Sequence, residues 1–318
     1  VAGHVTQRAL FDRVPRLADL VPFVPLADGL PTPVDRVDER LWVQRDDLSD
    51  SHYGGNKVRK LEHLLAIAAR RGGPVLTAGA LGSHHVVATA VHGARLGLEV
   101  EAVRFPQPTT PHVEEMAARA EALGVRSTMA PTSTAMPFVL ARRWADLARR
   151  GGTLVTPGGS TPIGVLGYVG AGLELVGRFA AEGWEEPDDV VVALGSGGSS
   201  VGLSLGLALG GWRRATVVAV RVADRIVTNA PVLRSMEAGV RSLLALGGAV
   251  PPPARWRIDG RWFGDGYGHP TAEGTAAGER AAALGIHSEP TYTAKALAAA
   301  FERLDAGRRV VFLQTLSA

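Results

Sequence analysis

Pro74-Val75-Leu76-Thr77, then Ala78-Gly79-Ala80-Leu81-Gly82, then Ser83-His84-His85-Val86-Val87 is the passage on which the fold turns. A short apolar run containing Val75 and Thr77 breaks at glycines and gives way to helical spacing as far as Leu96. A second apolar run, Val100 to Phe105, follows. Strand, glycine turn, helix and strand form a βαβ unit, which predicts an α/β fold of parallel sheets flanked by helices.

The same rhythm continues outward. It predicts a helix at about 112–123, a strand near 125–129, a helix at about 134–150 and a strand at 153–156 ending in Pro157-Gly158-Gly159-Ser160. A helix over about 164–183 carries Gly164, Gly167, Gly170 and Gly172, which thin one face for close packing. Asp189 to Leu194 reads as the clearest buried strand, followed by a glycine loop, a helix and a strand at 216–222. Helices near 230–246 and 271–285 flank an irregular stretch, Pro251 to Pro270, whose Trp256, Trp262 and Tyr267 mark a packed or functional segment. A helix at about 293–306 and a strand at 309–313 close the chain.

With 318 residues, 46% of them hydrophobic, the chain buries a large core in about two lobes. The sequence pI is 9.6, yet net charge is only +3 and the arginine pairs are dispersed, so no nucleic-acid footprint is expected. Cysteine is absent, which excludes disulfides, thiolate catalysis and cysteine-held metals. His84, His85 and His92 contain no pair at helical i, i+4 spacing beside a carboxylate, so no metal is expected. No stretch matches the roughly 18 uninterrupted apolar residues of a membrane span, and Arg8, Asp12, Arg13 and Arg16 break any secretory pattern. A cytoplasmic location without membrane association is the resulting expectation.

Of the 34 basic side chains only Lys57, Lys60 and Lys295 are lysine. Arginine serves most surface roles but stays protonated and forms no imine with an aldehyde, so a lysine retained here points to an amine. Lys57 follows Tyr53-Gly54-Gly55-Asn56 and precedes the helically spaced Leu61, Leu64, Leu65 and Ala68, at a junction where backbone can approach a cofactor. The loop Gly195-Ser196-Gly197-Gly198-Ser199-Ser200 follows a strand and opens a helix, which makes a phosphate cradle of backbone N–H groups and serine hydroxyls. A dinucleotide reading asks for glycine at the sixth position of the loop, where Ser200 stands, although Asp224 does follow the next strand. Amine and cradle together suggest pyridoxal 5′-phosphate, which needs both.

Three segments carry a resemblance: Gly54-Gly55-Asn56-Lys57-Val58-Arg59-Lys60-Leu61-Glu62, Pro157-Gly158-Gly159-Ser160 leading to Gly164 and Gly167-Tyr168, and Glu289-Pro290-Thr291-Tyr292-Thr293-Ala294-Lys295-Ala296. With Pro31-Thr32-Pro33 they resemble, in order and over nearly the whole chain, the D-cysteine desulfhydrase and 1-aminocyclopropane-1-carboxylate deaminase family. The resemblance implies a two-lobed tryptophan synthase β-like fold (fold type II). Residues 1–54 with 165–318 would form the large cofactor-binding domain, 55–164 the small substrate lobe, and the enzyme a homodimer. It further implies that Lys57 is the Schiff-base lysine and proton shuttle at Cα, that Asn56 and Gly195 to Ser200 hold the cofactor, that Ser83 faces the substrate carboxylate, and that Tyr267 and Tyr292 line the substrate face.

The residue at the cofactor's ring nitrogen discriminates between reactions. A carboxylate there strengthens the electron sink, whereas a neutral hydroxyl favours prompt loss of a β leaving group. Deaminases of the cyclopropane substrate carry glutamate where this chain has Thr293, and Thr315 is the residue placed near the ring nitrogen. Two departures bear on substrate: His84 replaces the family asparagine expected at the cofactor's 3′-oxygen, and Gln314-Thr315-Leu316-Ser317 replaces His-Thr-Gly-Gly. An imidazole titrates near neutrality, which makes His84 a candidate for acid–base chemistry. The expectation is a lyase performing α,β-elimination on a small amino acid. The alternatives are β-replacement or cyclisation, cyclopropane ring opening, a non-catalytic pyridoxal phosphate protein, and a nicotinamide-dependent oxidoreductase resting on the glycine loop alone.

Overall fold

A computed structural model describes residues 8–315. Leu316 and Ser317, part of the C-terminal departure, lie outside the described residues. Two short helices, α1 (Ala9–Arg13) and α2 (Leu17–Leu20), precede an antiparallel pair, β1 (Val34–Asp38) and β2 (Leu41–Arg45). Then come α3 (Val58–Arg71), β3 (Val75–Ala80), α4 (His84–Arg95), β4 (Val100–Phe105), α5 (Pro111–Ala122), β5 (Arg126–Met129), α6 (Met136–Ala148) and β6 (Thr153–Leu154). The chain continues through α7 (Pro162–Ala181), β7 (Asp189–Leu194), α8 (Gly198–Gly210), β8 (Thr216–Arg221) and α9 (Ala230–Leu246). It ends with β9 (Trp256–Asp259), α10 (Ala272–Ala282), α11 (Thr293–Asp305) and β10 (Val310–Gln314).

The strands form two sheets. One is ordered β5-β4-β3-β6 and is parallel throughout; the other is ordered β1-β2-β10-β7-β8-β9 and is parallel except at β1. The βαβ reading of residues 74–105 is thus the core of the smaller sheet, with Val75 opposite Val100 and Ala80 opposite Phe105. Pro251 to Pro270 departs from the irregular segment expected of it. Behind its proline run lies β9, a parallel edge strand pairing Val217 with Trp256. An edge position is where proline-flanked strands survive, because one side of their backbone needs no sheet partner.

The glycines of α7 serve two neighbours rather than one face. A Cβ on Gly167 would lie 2.0 Å from the Arg59 carbonyl oxygen of α3, and one on Gly172 would lie 2.7 Å from the Leu203 oxygen of α8. By length and composition α7 could cross a membrane, with mean hydropathy 1.3; its burial between α3 and α8 accounts for that apolarity. Helices packed this closely hold the first turn of α3 in place, with Lys57 at its N-cap and Lys60 within it.

Candidate active site

A cavity of about 780 Å³ opens where strands of both sheets end, bounded by the segments after β3, β4, β7, β8 and β10. Ligands of open parallel sheets bind outside such carboxyl ends.

Lys57 enters the cavity from a tightly folded loop. The Asp46 carbonyl accepts the Gly55 N–H at 2.8 Å, the Asp50 carboxylate accepts the N–H groups of His52 and Tyr53, and Gly55 takes φ +89°. The Asn56 N–H donates to the Thr315 carbonyl at 3.1 Å, which ties this loop to the end of β10. Arg59, buried one turn along, pairs with Asp46 and Glu174, and the Tyr168 hydroxyl donates to Asp46 at 2.5 Å. This network fixes α3 against β2 and α7. Lys57 Nζ donates to Asn56 Oδ1 at 2.5 Å. Burial brings the Lys57 amine down from 10.5 to about 8, against the opposing pull of Glu289.

The cradle is built on two glycine loops. Gly197 takes φ +88°, open to glycine alone at low cost, and turns the chain from β7 into α8. Ser196 Oγ lies 2.7 Å from Ser160 Oγ, which accepts the Gly198 N–H at 3.2 Å, and Asn56 Nδ2 donates to Ser199 Oγ at 3.3 Å. A Cβ on Gly158 would lie 2.1 Å from Ser196 Oγ. Gly195, Ser196, Gly197 and Ser199 form cavity wall, whereas Gly198 and Ser200 sit behind it in the first turn of α8. Ser200 Oγ is buried without a partner among the described residues.

Lys60, which sequence reasoning left without a role, belongs to this site. Its buried ammonium donates to the Gly158 carbonyl at 3.1 Å and to Ser160 Oγ at 3.5 Å, beneath the cradle. Burial, then the neighbouring Lys57, pulls its pKa well below the usual lysine range, so an anion in the cradle would supply the missing countercharge. The signal in the sequence was the spacing: Lys60 is one helical turn from Lys57 in a chain that otherwise uses arginine. The remaining first-turn N–H groups of α8, serine hydroxyls, a buried amine that an anion would charge, and the Lys57 amine in the same cavity fit the phosphate and aldehyde of pyridoxal phosphate.

Ser83 caps α4, its Oγ accepting the Val86 N–H at 3.4 Å; the helix start beyond it faces the cavity and suits a carboxylate. His84 also lines the cavity, but both ring nitrogens are engaged: Nδ1 is 2.6 Å from the Tyr53 hydroxyl and Nε2 is 2.8 Å from His112 Nε2. Burial, followed by His112, brings its pKa down to about 3, so this imidazole is neutral in the physiological range. A third partner, such as the cofactor oxygen that the replaced asparagine would hold, has to displace one of these two.

Tyr267 and Tyr292 meet hydroxyl to hydroxyl at 2.5 Å with rings edge to face. Burial pushes Tyr267 up to about 12 and Tyr292 well above the usual phenol range, so both stay protonated donors. The Tyr292 ring lies 3.3 Å from where a Gly195 Cβ would stand. Lys295 explains how Tyr267 is held. Its ammonium, 0% exposed as a residue, donates to the Phe263 carbonyl at 2.7 Å and the Gly266 carbonyl at 3.4 Å, pinning the loop that carries Tyr267. The Glu289 carboxylate is spent on the N–H groups of Thr291, Tyr292 and Thr293, and the Thr293 hydroxyl accepts the Glu289 N–H at 2.8 Å. Thr315 lines the cavity at the end of β10.

Comparison with known proteins agrees with this geometry. The profile of the family described as "Pyridoxal-phosphate dependent enzyme" matches residues 26–315. A D-cysteine desulfhydrase of Klebsiella pneumoniae (strain 342) is 34% identical over 296 residues, covering 90% of this chain and 87% of that protein. Among solved structures, an ACC deaminase homologue superposes with TM-score 0.79 at 27% identity, covering 98% and 95% of the two chains. The processed form of threonine deaminase isoform 2 from Solanum lycopersicum does so with TM-score 0.64 at 15% identity over 97% and 89%, a likeness of fold alone.

Proposed function

The chain belongs to the pyridoxal-phosphate-dependent enzyme family, as a lyase with the tryptophan synthase β-like fold, and from that premise we propose α,β-elimination on a small amino acid in the manner of D-cysteine desulfhydrase. The products are a keto acid, ammonia and the β leaving group. The observation that carries this reading is the state of the cavity's carboxylates. Only Asp224 and Glu289 line it among the described residues, and Glu289 is consumed by three backbone N–H groups. Beside Tyr292 stands Thr293, and Thr315 offers a hydroxyl where β10 ends. A neutral hydroxyl such as that of Thr315, were it to face the ring nitrogen, would favour loss of a leaving group over a long-lived carbanion.

When bound, pyridoxal phosphate withdraws electrons from Cα of an attached amino acid and lowers the cost of removing its proton. Lys57 is the base for that proton: its amine, about 8 by burial, is part neutral at physiological pH. The N-terminus of α4 with Ser83 holds the substrate carboxylate by its open N–H groups. Lys60, Ser196, Ser199 and the first turn of α8 would hold the phosphate. Tyr267 and Tyr292, both kept protonated, donate towards the substrate face. We further propose residues 55–164 as the small substrate lobe against 1–54 and 165–318, a homodimer, and a cytoplasmic location.

The test is turnover. The purified holoenzyme is expected to convert D-cysteine to pyruvate, ammonia and sulfide in equal amounts, and Lys57→Ala to lose both the cofactor's visible absorbance and turnover. Wild type with no such absorbance, or no keto acid from any β-substituted D- or L-amino acid, would refute it. Capture of the three-carbon fragment by an added nucleophile without pyruvate would move the enzyme to β-replacement.

A further inference from the structure

Once the groups above are assigned, one side of the cavity is left for the substrate's side chain, and apart from Asp224 and the imidazole of His269 its lining is uncharged. Leu81, just before the carboxylate-binding start of α4, donates its N–H to the Phe105 carbonyl, so the wall after β4 stands directly beside that site. This wall is Phe105, Pro106 and Pro108, continued by Met136. Gln107 is there too, but its amide oxygen accepts the Gly82 N–H at 3.2 Å; Ser133 and Thr134 add only neutral hydroxyls.

The turn after β8 lines the same cavity and presents Ile226 and Val227, exposed by 86% and 54%. The turn is ordered: Val227 and Thr228 N–H groups bond the Asp224 carbonyl at 2.9 and 3.0 Å, and the buried Thr228 hydroxyl lies 3.3 Å from the carbonyls of Ala223 and Asp224. Two β-branched side chains are therefore held at the mouth without protein to cover them, as apolar ligand surfaces are. In a chain with 31 arginines, none lines the cavity among the described residues. Asp224, which among the described residues is the cavity carboxylate without a hydrogen bond to the fold, disfavours an anionic side chain further.

We propose, resting on the elimination reading, that the preferred substrate is a cysteine bearing an uncharged, mainly apolar alkyl or aryl group on sulfur, rather than free cysteine. The amino acid loses its Cα proton, the Cβ–S bond breaks with its electron pair leaving on sulfur, and sulfur takes up a proton. One water then releases ammonia from the three-carbon enamine, so R–S–CH2–CH(NH3+)–COO− and water give RSH, pyruvate and ammonium. No oxidant or reductant is needed.

The experiment compares kcat/KM of the holoenzyme for cysteine, S-benzylcysteine and S-carboxymethylcysteine, each as both enantiomers, by pyruvate release over a Lys57→Ala blank. S-benzylcysteine is expected to exceed cysteine at least ten-fold, and the anionic S-carboxymethyl compound to fall below both. Ile226→Ser, at a site too exposed to threaten folding, should lower the S-benzyl to cysteine ratio several-fold. Cysteine equal to or better than S-benzylcysteine overturns the substrate proposal and leaves elimination standing; so does an S-carboxymethyl rate matching S-benzyl. Pyruvate from none of the three overturns this proposal, and the elimination reading falls with it when no other β-substituted amino acid gives a keto acid.

Discussion

Capture of the cofactor by the apoprotein should titrate with the Lys57 amine. The neutral amine is the nucleophile, and burial brings Lys57 from 10.5 to about 8. At pH 7 about a tenth of Lys57 is then neutral, against roughly one part in 3,000 for an ordinary lysine, a gain of roughly 300-fold. The sign follows from the direction of the shift: below about 8 the second-order rate of uptake should rise ten-fold per pH unit, and above it level off. Between about 8 and 10.5 the unfolded chain binds more protons at this site than the folded one, so this residue makes the apoprotein more stable as pH rises through that window. Stopped-flow visible absorbance measures uptake, with an Nα-blocked lysine run in parallel to divide out the titration of pyridoxal phosphate itself. A midpoint at 10 or above would refute the argument from burial, and covalent uptake retained by Lys57→Ala would refute the assignment of the residue.

Gly158→Ala should weaken the phosphate grip. Gly158 takes φ +69°, and its Cβ would fall 2.1 Å from Ser196 Oγ, so Ser196 must leave Ser160; the dissociation constant for pyridoxal phosphate should rise ten-fold or more, while that for pyridoxal, which lacks the phosphate, stays within about two-fold. Equal losses for both ligands would mean a general collapse of the site. Lys295→Met removes a charged donor from two buried carbonyls, worth about 1.5–3 kcal/mol, but also removes the cost of burying an ammonium with no carboxylate bonded to it, so the melting temperature should change little. Activity should fall about ten-fold or more with cofactor absorbance intact, because the Tyr267 loop is released. Full activity in this variant would show that the clamp has no bearing on turnover.

Local chemistry was legible from the chain. The βαβ passage at 74–105, the buried strand before Gly195, and the lysine after Gly54-Gly55-Asn56 each announce themselves within one unbroken stretch of chain, and the parallel sheets follow from the first two. Strand β9 hides behind three prolines because its pairing with β8 is made far along the chain. The two-sided use of the α7 glycines is invisible for the same reason: spacing shows that small residues recur, while only packing shows that α3 meets Gly167 and α8 meets Gly172.

The site divides along the same line. By itself the sequence determined which chemistry is present: an amine where arginine is the rule, a glycine and serine loop between strand and helix, and tyrosines in motif segments. Only the tertiary structure decided what each does. It set Lys60 under the cradle and Lys295 under Tyr267, engaged both nitrogens of His84 with Tyr53 and His112, and spent Glu289 on a helix start. Residue type and short spacing are properties of neighbours along the chain, but pKa and hydrogen-bond partners depend on burial and on groups 143 positions away, as between Asn56 and Ser199, or further still, as between Asn56 and Thr315, and those distances exist only once the two sheets have packed.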